Sequence, residues 1–429
     1  MIGMRLLVPL LALCITVTAC HRSEQLTGNW QGYWMRAGDS LLVTLNVQPD
    51  TAGHYTATFD SDRLRVSGIP FNEIRVQGCC DVSMVLRGDR TTMVFTGTLD
   101  GDSLSGIFKE GQSEGRFAYS RVAATTPSFE ERNITFTSGT VTLAGSLFLP
   151  RTGESLPGVV FLQGSGAEGR WASHYLAAQF ANHGIAALIF DKRGVGGSSG
   201  DWRTMTIDDL AADDSAAVAR LHQEPRIDAK RIGLHGHSQG GTLAPLVAAR
   251  STNVAFIIGS AAAGVPTDST ELFSILNSVY PAATSAEDSA SAKAYTSELI
   301  AVAYHGRPRE RLDLLASSLK DRPWFFPLPP AGDTYWSFSR DFAQYKPLEW
   351  WARVRVPVLL IYGSADQRVP ATESAARIAA ALQKAGNADV TVKILPGADH
   401  TFRLPPGSSG WPVTAPDYIP ALLDWLAKR

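Results

Sequence analysis

Two different rhythms of apolar and polar residues run along the chain. Between residue 26 and about residue 121 they alternate in short runs, among them Leu41-Leu42-Val43-Thr44-Leu45-Asn46-Val47, Tyr55-Thr56-Ala57-Thr58-Phe59 and Met93-Val94-Phe95-Thr96-Gly97-Thr98-Leu99. Alternation sends successive side chains to opposite faces, so each run predicts a half-buried strand. Turn-forming clusters separate them: Pro49-Asp50-Thr51-Ala52-Gly53, Arg87-Gly88-Asp89-Arg90 and Asp100-Gly101-Asp102. The spacing predicts a small antiparallel all-β domain over residues 26–121, curled into a barrel-like sheet so that its edges are removed. Leu26–Gly32 opens this meander, and Gly106–Phe108 with Gly115–Phe117 closes it. A barrel this narrow is filled by its own side chains, and the segment carries no catalytic set.

Beyond a linker at 122–127 the rhythm changes. Ile134-Thr135-Phe136 and Val141-Thr142-Leu143 read as a hairpin joined through Ser138-Gly139. Unbroken apolar runs then follow at 158–162, 185–190, 232–234, 254–258, 356–362 and 390–395, with helical stretches near 171–183, 207–222, 239–250, 371–386 and 416–428. Strands that are apolar on both faces and alternate with helices predict a parallel sheet covered on two sides. The fold expected for residues 130–429 is therefore α/β, with a mostly parallel eight-stranded sheet. Roughly ninety residues separate the run ending near Ser260 from the one beginning at Val356, far more than a crossover requires. Residues 265–350 thus predict a helical cap insertion, with an Ala/Ser-rich helix at 284–305 and an aromatic part, Pro323-Trp324-Phe325-Phe326-Pro327 and Tyr335-Trp336-Ser337-Phe338. Aromatic residues at such spacing read first as the cap's own core and only then as substrate contacts.

Composition narrows the choice of partner. With 45% hydrophobic and 19% charged residues and a net charge of −2, the chain is an ordinary folded one, and without a long basic run it is not expected to bind nucleic acid. A small-molecule substrate fits better. Arg5 followed by the apolar stretch Leu6–Val17 reads as a secretory signal over residues 1–20, too short for a stable membrane span. Val17-Thr18-Ala19-Cys20 resembles a bacterial lipobox, which implies a lipidated Cys20 at the start of the mature chain. Each buried CH₂ of such an anchor contributes about 0.8 kcal/mol. His21 stands where an inner-membrane retention signal carries Asp, so the resemblance implies an outer-membrane lipoprotein facing the periplasm; plain secretion after Ala19 is the alternative. With Cys14 removed and Cys20 lipidated, only the adjacent Cys79 and Cys80 remain, which predicts neither a disulfide framework nor a metal site.

The chemistry gathers around Ile232–Gly241, where an apolar run breaks into Gly236-His237-Ser238-Gln239-Gly240 and opens an Ala-rich helix. A strand that reverses sharply into a helix needs small residues on both sides of the serine, and the turn pushes the hydroxyl out of the sheet. Four further motifs stand in order around it: Gln163-Gly164-Ser165-Gly166, Asp191-Lys192-Arg193-Gly194, Gly363-Ser364-Ala365-Asp366 and Gly397-Ala398-Asp399-His400. On these residues the segment 130–429 resembles the α/β-hydrolase superfamily, of the esterase, dienelactone-hydrolase and thioesterase type. The two-part layout resembles bacterial esterases with an N-terminal β-domain. The resemblance implies the α/β-hydrolase fold and a serine mechanism that needs no cofactor and no metal.

A serine hydroxyl is a poor nucleophile at neutral pH and needs a base; an imidazole, with a pKa of about 6.5, suits. His400, just after the last strand, is the candidate. Asp366 follows the strand ending at Gly363 and can hold that imidazole in one tautomer. Ser238, Asp366, His400 is the chain order expected on this fold. Asp399 is the rival acid, but side chains adjacent in a loop diverge. A tetrahedral intermediate needs two donors for its oxyanion, assigned to the backbone N–H groups of Gln239 and Ser165. Gln163 replaces the histidine usual in such loops, which leaves the donor intact and removes the familiar side-chain anchor. Asp191, Lys192 and Arg193 read as an internal ion pair bracing the following glycine loop. Of the nine histidines, His235 and His237 are held by the elbow, His237 lining the pocket, while His174, His183, His222 and His305 are expected on helix surfaces.

These residues predict a serine carboxylic-ester hydrolase that acts on a small-molecule ester or thioester through an acyl-enzyme. The same machinery serves an acyl-thioesterase or a prolyl-type serine peptidase. A different class, an envelope lipoprotein that binds a ligand through its β-domain and has lost catalysis, is disfavoured by the presence of all three triad residues.

Overall fold

A computed structural model of the protein describes residues 26–429 apart from Cys79, Asp89, Arg90, Thr252 and Asn253. The predicted signal, its lipobox-like end with Cys20, and Cys79 lie outside the described residues. The chain divides into two compact units, one made of the stretch up to Asp62 with Gly68–Thr125, the other of Arg63–Ser67 with Thr126–Arg429.

The first unit is one antiparallel sheet of β1 (Gly28–Arg36), β2 (Asp39–Pro49), β3 (Tyr55–Ser61), β4 (Val66–Pro70), β5 (Glu73–Gln77), β6 (Asp81–Arg87), β7 (Thr92–Asp100), β8 (Ser103–Glu110) and β9 (Ser113–Val122). Its strand order is β4-β3-β2-β1-β9-β8-β7-β6-β5. The two end strands are consecutive in the chain and joined only by Phe71-Asn72, so the sheet has to curl until its ends meet. Phe71 donates its N–H to Ala57 of β3 at 2.9 Å and Asn72 to Val85 of β6 at 2.8 Å, which ties the two ends through this turn. Alternate residues point inward, and Trp34, Phe95, Phe108 and Phe117 are fully buried there. Trp34 donates its indole N–H to the Tyr119 hydroxyl, so the one polar end of that ring pair is satisfied inside the core. The interior is filled by the unit's own side chains.

The second unit is an α/β sheet covered by helices on both faces. Its sheet contains β10 (Phe129–Ser138), β11 (Val141–Pro150), β12 (Leu156–Leu162), β13 (Ala186–Phe190), β14 (Ile227–His237), β15 (Val254–Ser260), β16 (Val358–Gly363) and β17 (Val390–Leu395), in the order β10-β11-β13-β12-β14-β15-β16-β17. The hairpin β10–β11 pairs antiparallel with β13, and the remaining neighbours are parallel. β13 and β16 are buried along their whole length, which explains their unbroken apolar sequence. Helices α1 (Trp171–Asn182) and α10 (Tyr418–Leu426) cover one face with Phe180, Leu422 and Trp425. α2 (Ile207–His222), α3 (Gln239–Arg250) and α9 (Ala371–Lys384) cover the other with Leu210, Leu221, Leu243 and Ile378.

Chain order and strand order part company at β12. The chain goes from β12 through α1 to β13 on one side, then through α2 to β14 on the other. The loops leaving the carboxyl ends of β12 and β14 therefore lie side by side, the usual place for a ligand in such a sheet.

Between β15 and β16 stand α4 (Thr267–Val279), α5 (Ala286–His305), α6 (Glu310–Leu319), α7 (Thr334–Gln344) and α8 (Pro347–Trp351). Tyr295, Leu299, Leu312, Trp324 and Trp336 form a core belonging to this insertion. α5 is set by its ends: Ser285 caps the N-terminus by accepting from the Asp288 N–H, and Gly306 takes the left-handed conformation after His305. Among the described residues no helix is long and apolar enough to cross a membrane.

One histidine departs from expectation. His174 is buried, not on the surface of α1: it stacks on Trp171, packs edge-on to Phe148 of β11, and puts Nε2 3.1 Å from a Glu131 carboxylate oxygen. Its helix face lies on the hairpin, where a polar ring persists only with a partner.

Candidate active site

At the end of β14 the backbone turns through Ser238 with φ 56° and ψ −114°, a conformation that side-chain-bearing residues rarely adopt. The turn is held by the Ser238 N–H on Ser260 O at 2.8 Å and by the Thr242 N–H on Ser238 O at 2.9 Å. The flanking glycines are steric requirements. A Cβ at Gly236 would lie 2.3 Å from the Gly240 carbonyl carbon, and one at Gly240 would lie 2.4 Å from Leu162 O. Bare backbone at Gly240 thus lets the first turn of α3 press against the exit of β12, bringing Gln239 to the Gln163–Gly166 loop.

Two distant residues meet Ser238 there. His400, five residues beyond β17, places Nε2 3.0 Å from Ser238 Oγ. Its Nδ1 lies 2.8 Å from Asp366 Oδ2, and this carboxylate partner makes Nδ1 the protonated nitrogen and leaves Nε2 to accept. Asp366 has a wholly buried side chain, and its other oxygen accepts the backbone N–H groups of Arg368 at 2.7 Å and Val369 at 2.9 Å. The carboxylate therefore approaches His400 with its remaining oxygen only. Asp399 does not enter this chain. Its Oδ1 accepts from the N–H groups of Thr401 and Arg403 and from the Thr401 hydroxyl, capping its own turn.

The two elbow histidines have separate tasks. His235 is buried against Phe161 and Phe180, with Nε2 3.1 Å from Ser260 Oγ; burial, helped by neighbouring His237, pushes its pKa down to about 3. His237 lies with its ring 4.9 Å from that of His400 and its Nε2 3.0 Å from the His400 carbonyl oxygen. Burial, then the adjacent His400, pushes it down to about 4, so it is neutral and donates Nε2–H to that carbonyl. Its expected place as a pocket-shaping residue sharpens into a strut for the His400 backbone.

The loop after β12 has an anchor of its own. Gln163 Nε2 donates to Phe190 O at 2.8 Å, supplying the side-chain tether that the missing histidine had left open. The charged triplet after β13 splits three ways. Asp191 pairs with Arg170 at 2.8 Å and accepts the Gly197 N–H, Arg193 pairs with Asp213 at 2.6 Å and Asp209 at 3.0 Å, and Lys192 Nζ donates to Gly164 O at 2.5 Å. The outer two brace the glycine loop and α2, while the middle one reaches the β12 loop.

A cavity of about 290 Å³ opens beside Ser165 and Gln239. Trp202, Met205, Leu210, Tyr335 and Phe338 make its wall largely apolar, and Lys192 contributes to it. The aromatic stretches of the insertion are thus divided: Trp324 and Trp336 are buried in its core, while Tyr335, which packs against that core, and Phe338 line the cavity.

The chain is similar to several known proteins. Over 127 residues the chain is 31% identical to the quorum-quenching protein AidA of Acinetobacter baumannii (strain MDR-ZJ06), a match covering 29% of this chain and 42% of that protein. The chain thus spans less than half the length of this curated relative. Among solved structures, the esterase PF2001 of Pyrococcus furiosus is similar with a TM-score of 0.45 and 20% identity, over 72% of this chain and 92% of that one. Est1E of Butyrivibrio proteoclasticus, solved with ferulic acid bound, is similar with a TM-score of 0.45 and 17% identity, over 69% and 96%. A model of the alpha/beta hydrolase family matches residues 159–409, more than half the chain, and the protein belongs to that family.

Proposed function

We propose that the protein is a serine carboxylic-ester hydrolase with Ser238 as nucleophile, His400 as general base and acid, and Asp366 as the group that orients and stabilises the imidazolium. The observation that carries this reading is the continuous hydrogen-bonded line from Asp366 Oδ2 through His400 to Ser238 Oγ, 2.8 and 3.0 Å long, ending on a strained turn. Ser238 Oγ attacks the ester carbonyl carbon while its proton passes to His400 Nε2. The C=O π pair moves onto oxygen, and that oxyanion is received by the N–H groups of Gln239 and Ser165. Collapse expels the alcohol, which takes the proton from His400 and leaves an acyl-Ser238. A water molecule then gives its proton to His400 and attacks. The second collapse returns the proton to Ser238 Oγ and frees the acid.

The apolar cavity wall of Trp202, Met205, Leu210, Tyr335 and Phe338 supports an apolar acyl or aryl group on the substrate. Turnover of p-nitrophenyl acetate by the wild-type chain and its loss in Ser238→Ala tests the reading; a Ser238→Ala protein with native turnover would falsify it. A panel of esters, acyl-thioesters and proline-containing peptide amides separates the carboxylesterase from the thioesterase and prolyl-peptidase alternatives, which use the same steps. The sequence alone supports an exported, periplasm-facing chain anchored through Cys20, and loss of radiolabelled palmitate incorporation in Cys20→Ser tests that.

A further inference from the structure

We propose that Lys192 is a positioning residue for the oxyanion loop: its ammonium grips the carbonyl end of the peptide whose N–H end is the Ser165 donor, and its charge strengthens that donor. The proposal rests on the esterase reading above. Gly164 C=O and Ser165 N–H are two ends of one planar, resonance-coupled group, so pulling electron density at the oxygen raises the C–N double-bond character and leaves the N–H a better donor. Lys192 Nζ lies 2.5 Å from Gly164 O, and the lysine is 3% exposed. A charged donor in so dry a place acts with little screening.

The other end of Gly164 is held as well. Its N–H donates to the Glu168 carboxylate, and the fit is tight enough that a Cβ at Gly164 would lie 2.6 Å from Glu168 Oε2. The Lys192 N–H in turn donates to Glu168 O at 3.3 Å. Side chains of opposite sign thus clamp both peptide groups of one glycine, immediately before the donor residue. Buried ion pairs can as a rule be replaced as a whole by apolar residues at little loss of stability, so packing alone does not account for a charged cluster held at this loop.

The groups facing Lys192 are Glu168, from the loop between β12 and α1, and Asp214, from α2. Burial raises the carboxyls of both, and Asp213 adds to the effect at Asp214. Their neighbours Asp191, Arg193 and Asp213 are engaged elsewhere, with Arg170 and with one another. Burial outweighs the attraction of Glu168 and Asp214 and brings the ammonium down to about 8, within reach of an ordinary pH–rate profile.

The test compares the full chain with Lys192→Met, Lys192→Arg and Glu168→Gln, each first shown to have a native melting transition. The substrate is p-nitrophenyl acetate, and the probe of the oxyanion site is a trifluoromethyl ketone, whose tetrahedral adduct carries that charge. Lys192→Met is expected to lose about ten- to a hundred-fold in kcat, less than the deletion of a donor, with KM little changed and ketone affinity reduced by a similar factor. Wild-type kcat is expected to fall as pH rises through about 8, where Lys192 gives up its proton. Met abolishes this alkaline limb, Arg moves it beyond the accessible range, and Gln at 168, by removing an attracting negative charge, shifts it to lower pH. A Lys192→Met enzyme that keeps wild-type kcat, ketone affinity and alkaline limb overturns the proposal. Should that variant fail to fold, Glu168→Gln decides, and an unmoved limb overturns it equally. A wild-type chain that neither turns over the ester nor takes up a fluorophosphonate at Ser238 fails the esterase reading itself, and the Lys192 assignment falls with it.

Discussion

In the β unit the side chains withdrawn from water are apolar, with Ser61 the only buried polar one among the described residues; in the hydrolase unit Asp191, Lys192, Asp213, Asp214, His235 and Asp366 are all buried. Each such group opposes folding unless it is paired or hydrogen-bonded, so a chain that keeps several of them near the carboxyl ends of adjacent strands is holding them for something other than stability. The β unit shows what the same chain builds when packing alone decides: Trp34, Phe95, Phe108 and Phe117 in contact, and even the Trp34 indole N–H matched. The contrast locates chemistry in one unit and makes it separable from stability by substitution.

The widest separation is expected between Asp366 and Asp399, acids on the loops after β16 and β17, of which only Asp366 reaches the His400 ring. Asp366→Asn leaves the geometry but offers His400 the wrong hydrogen-bonding partner, and should lower kcat on p-nitrophenyl esters by a factor on the order of 10⁴. Asp399→Asn should retain most of the activity, because Asp399 caps only its own turn. Equal losses in the two variants would erase the distinction.

Phe95→Ala in the β unit reverses the readout. It should destabilise that unit by about 3–5 kcal/mol in denaturant titrations of the full chain while leaving kcat unchanged in the native baseline. A fall in kcat there would carry the chemistry beyond the hydrolase unit.

Gly240→Ala sits between these extremes, touching stability and catalysis together. Its new Cβ would meet Leu162 O at 2.4 Å, so α3 or the β12 exit must shift; a loss of about 1–3 kcal/mol in the same titration, with a lower kcat, is expected.

The smallest expected effect is a slope against pH. His235 and His237 are held neutral by burial, with pKa values of about 3 and about 4, whereas in the unfolded chain both take up protons at about 6.5. The unfolded state therefore binds more protons below that pH, and stability should fall as pH drops from about 6.5 towards 4. His235→Phe should flatten this fall by up to about 1.4 kcal/mol per pH unit. An unchanged slope would mean that His235 is not held neutral.

Much of this was legible in the chain because strand ends are legible. The apolar runs located β12, β14 and β16, and in a parallel sheet the residues just past those runs, Ser165, Ser238 and Asp366, must gather at one edge. His400 was marked by the same logic after β17. What stayed hidden depends on strand order and not on strand identity. Lys192 reaches Gly164, 28 residues away, only because β13 lies beside β12, and His237 props His400, 163 residues away, across the top of the sheet. Gln163 looked like a missing anchor because its partner, the Phe190 carbonyl, is a backbone group that no motif announces. Tyr335 and Trp336 show the limit most plainly. They are adjacent and chemically alike, yet Trp336 is buried in the core of the insertion while Tyr335 packs against that core and also lines the cavity, a choice made by the rotation of α7.

With His400 and Asp366 behind it, Ser238 should react as an activated nucleophile. Brief exposure of the full chain to a fluorophosphonate, followed by intact-mass and peptide-level mass spectrometry, tests this most directly. A single adduct is expected on the peptide bearing Ser238, formed far more slowly in Asp366→Asn and absent in Ser238→Ala. An unlabelled wild-type protein, or labelling that persists at the same rate in Ser238→Ala, contradicts it.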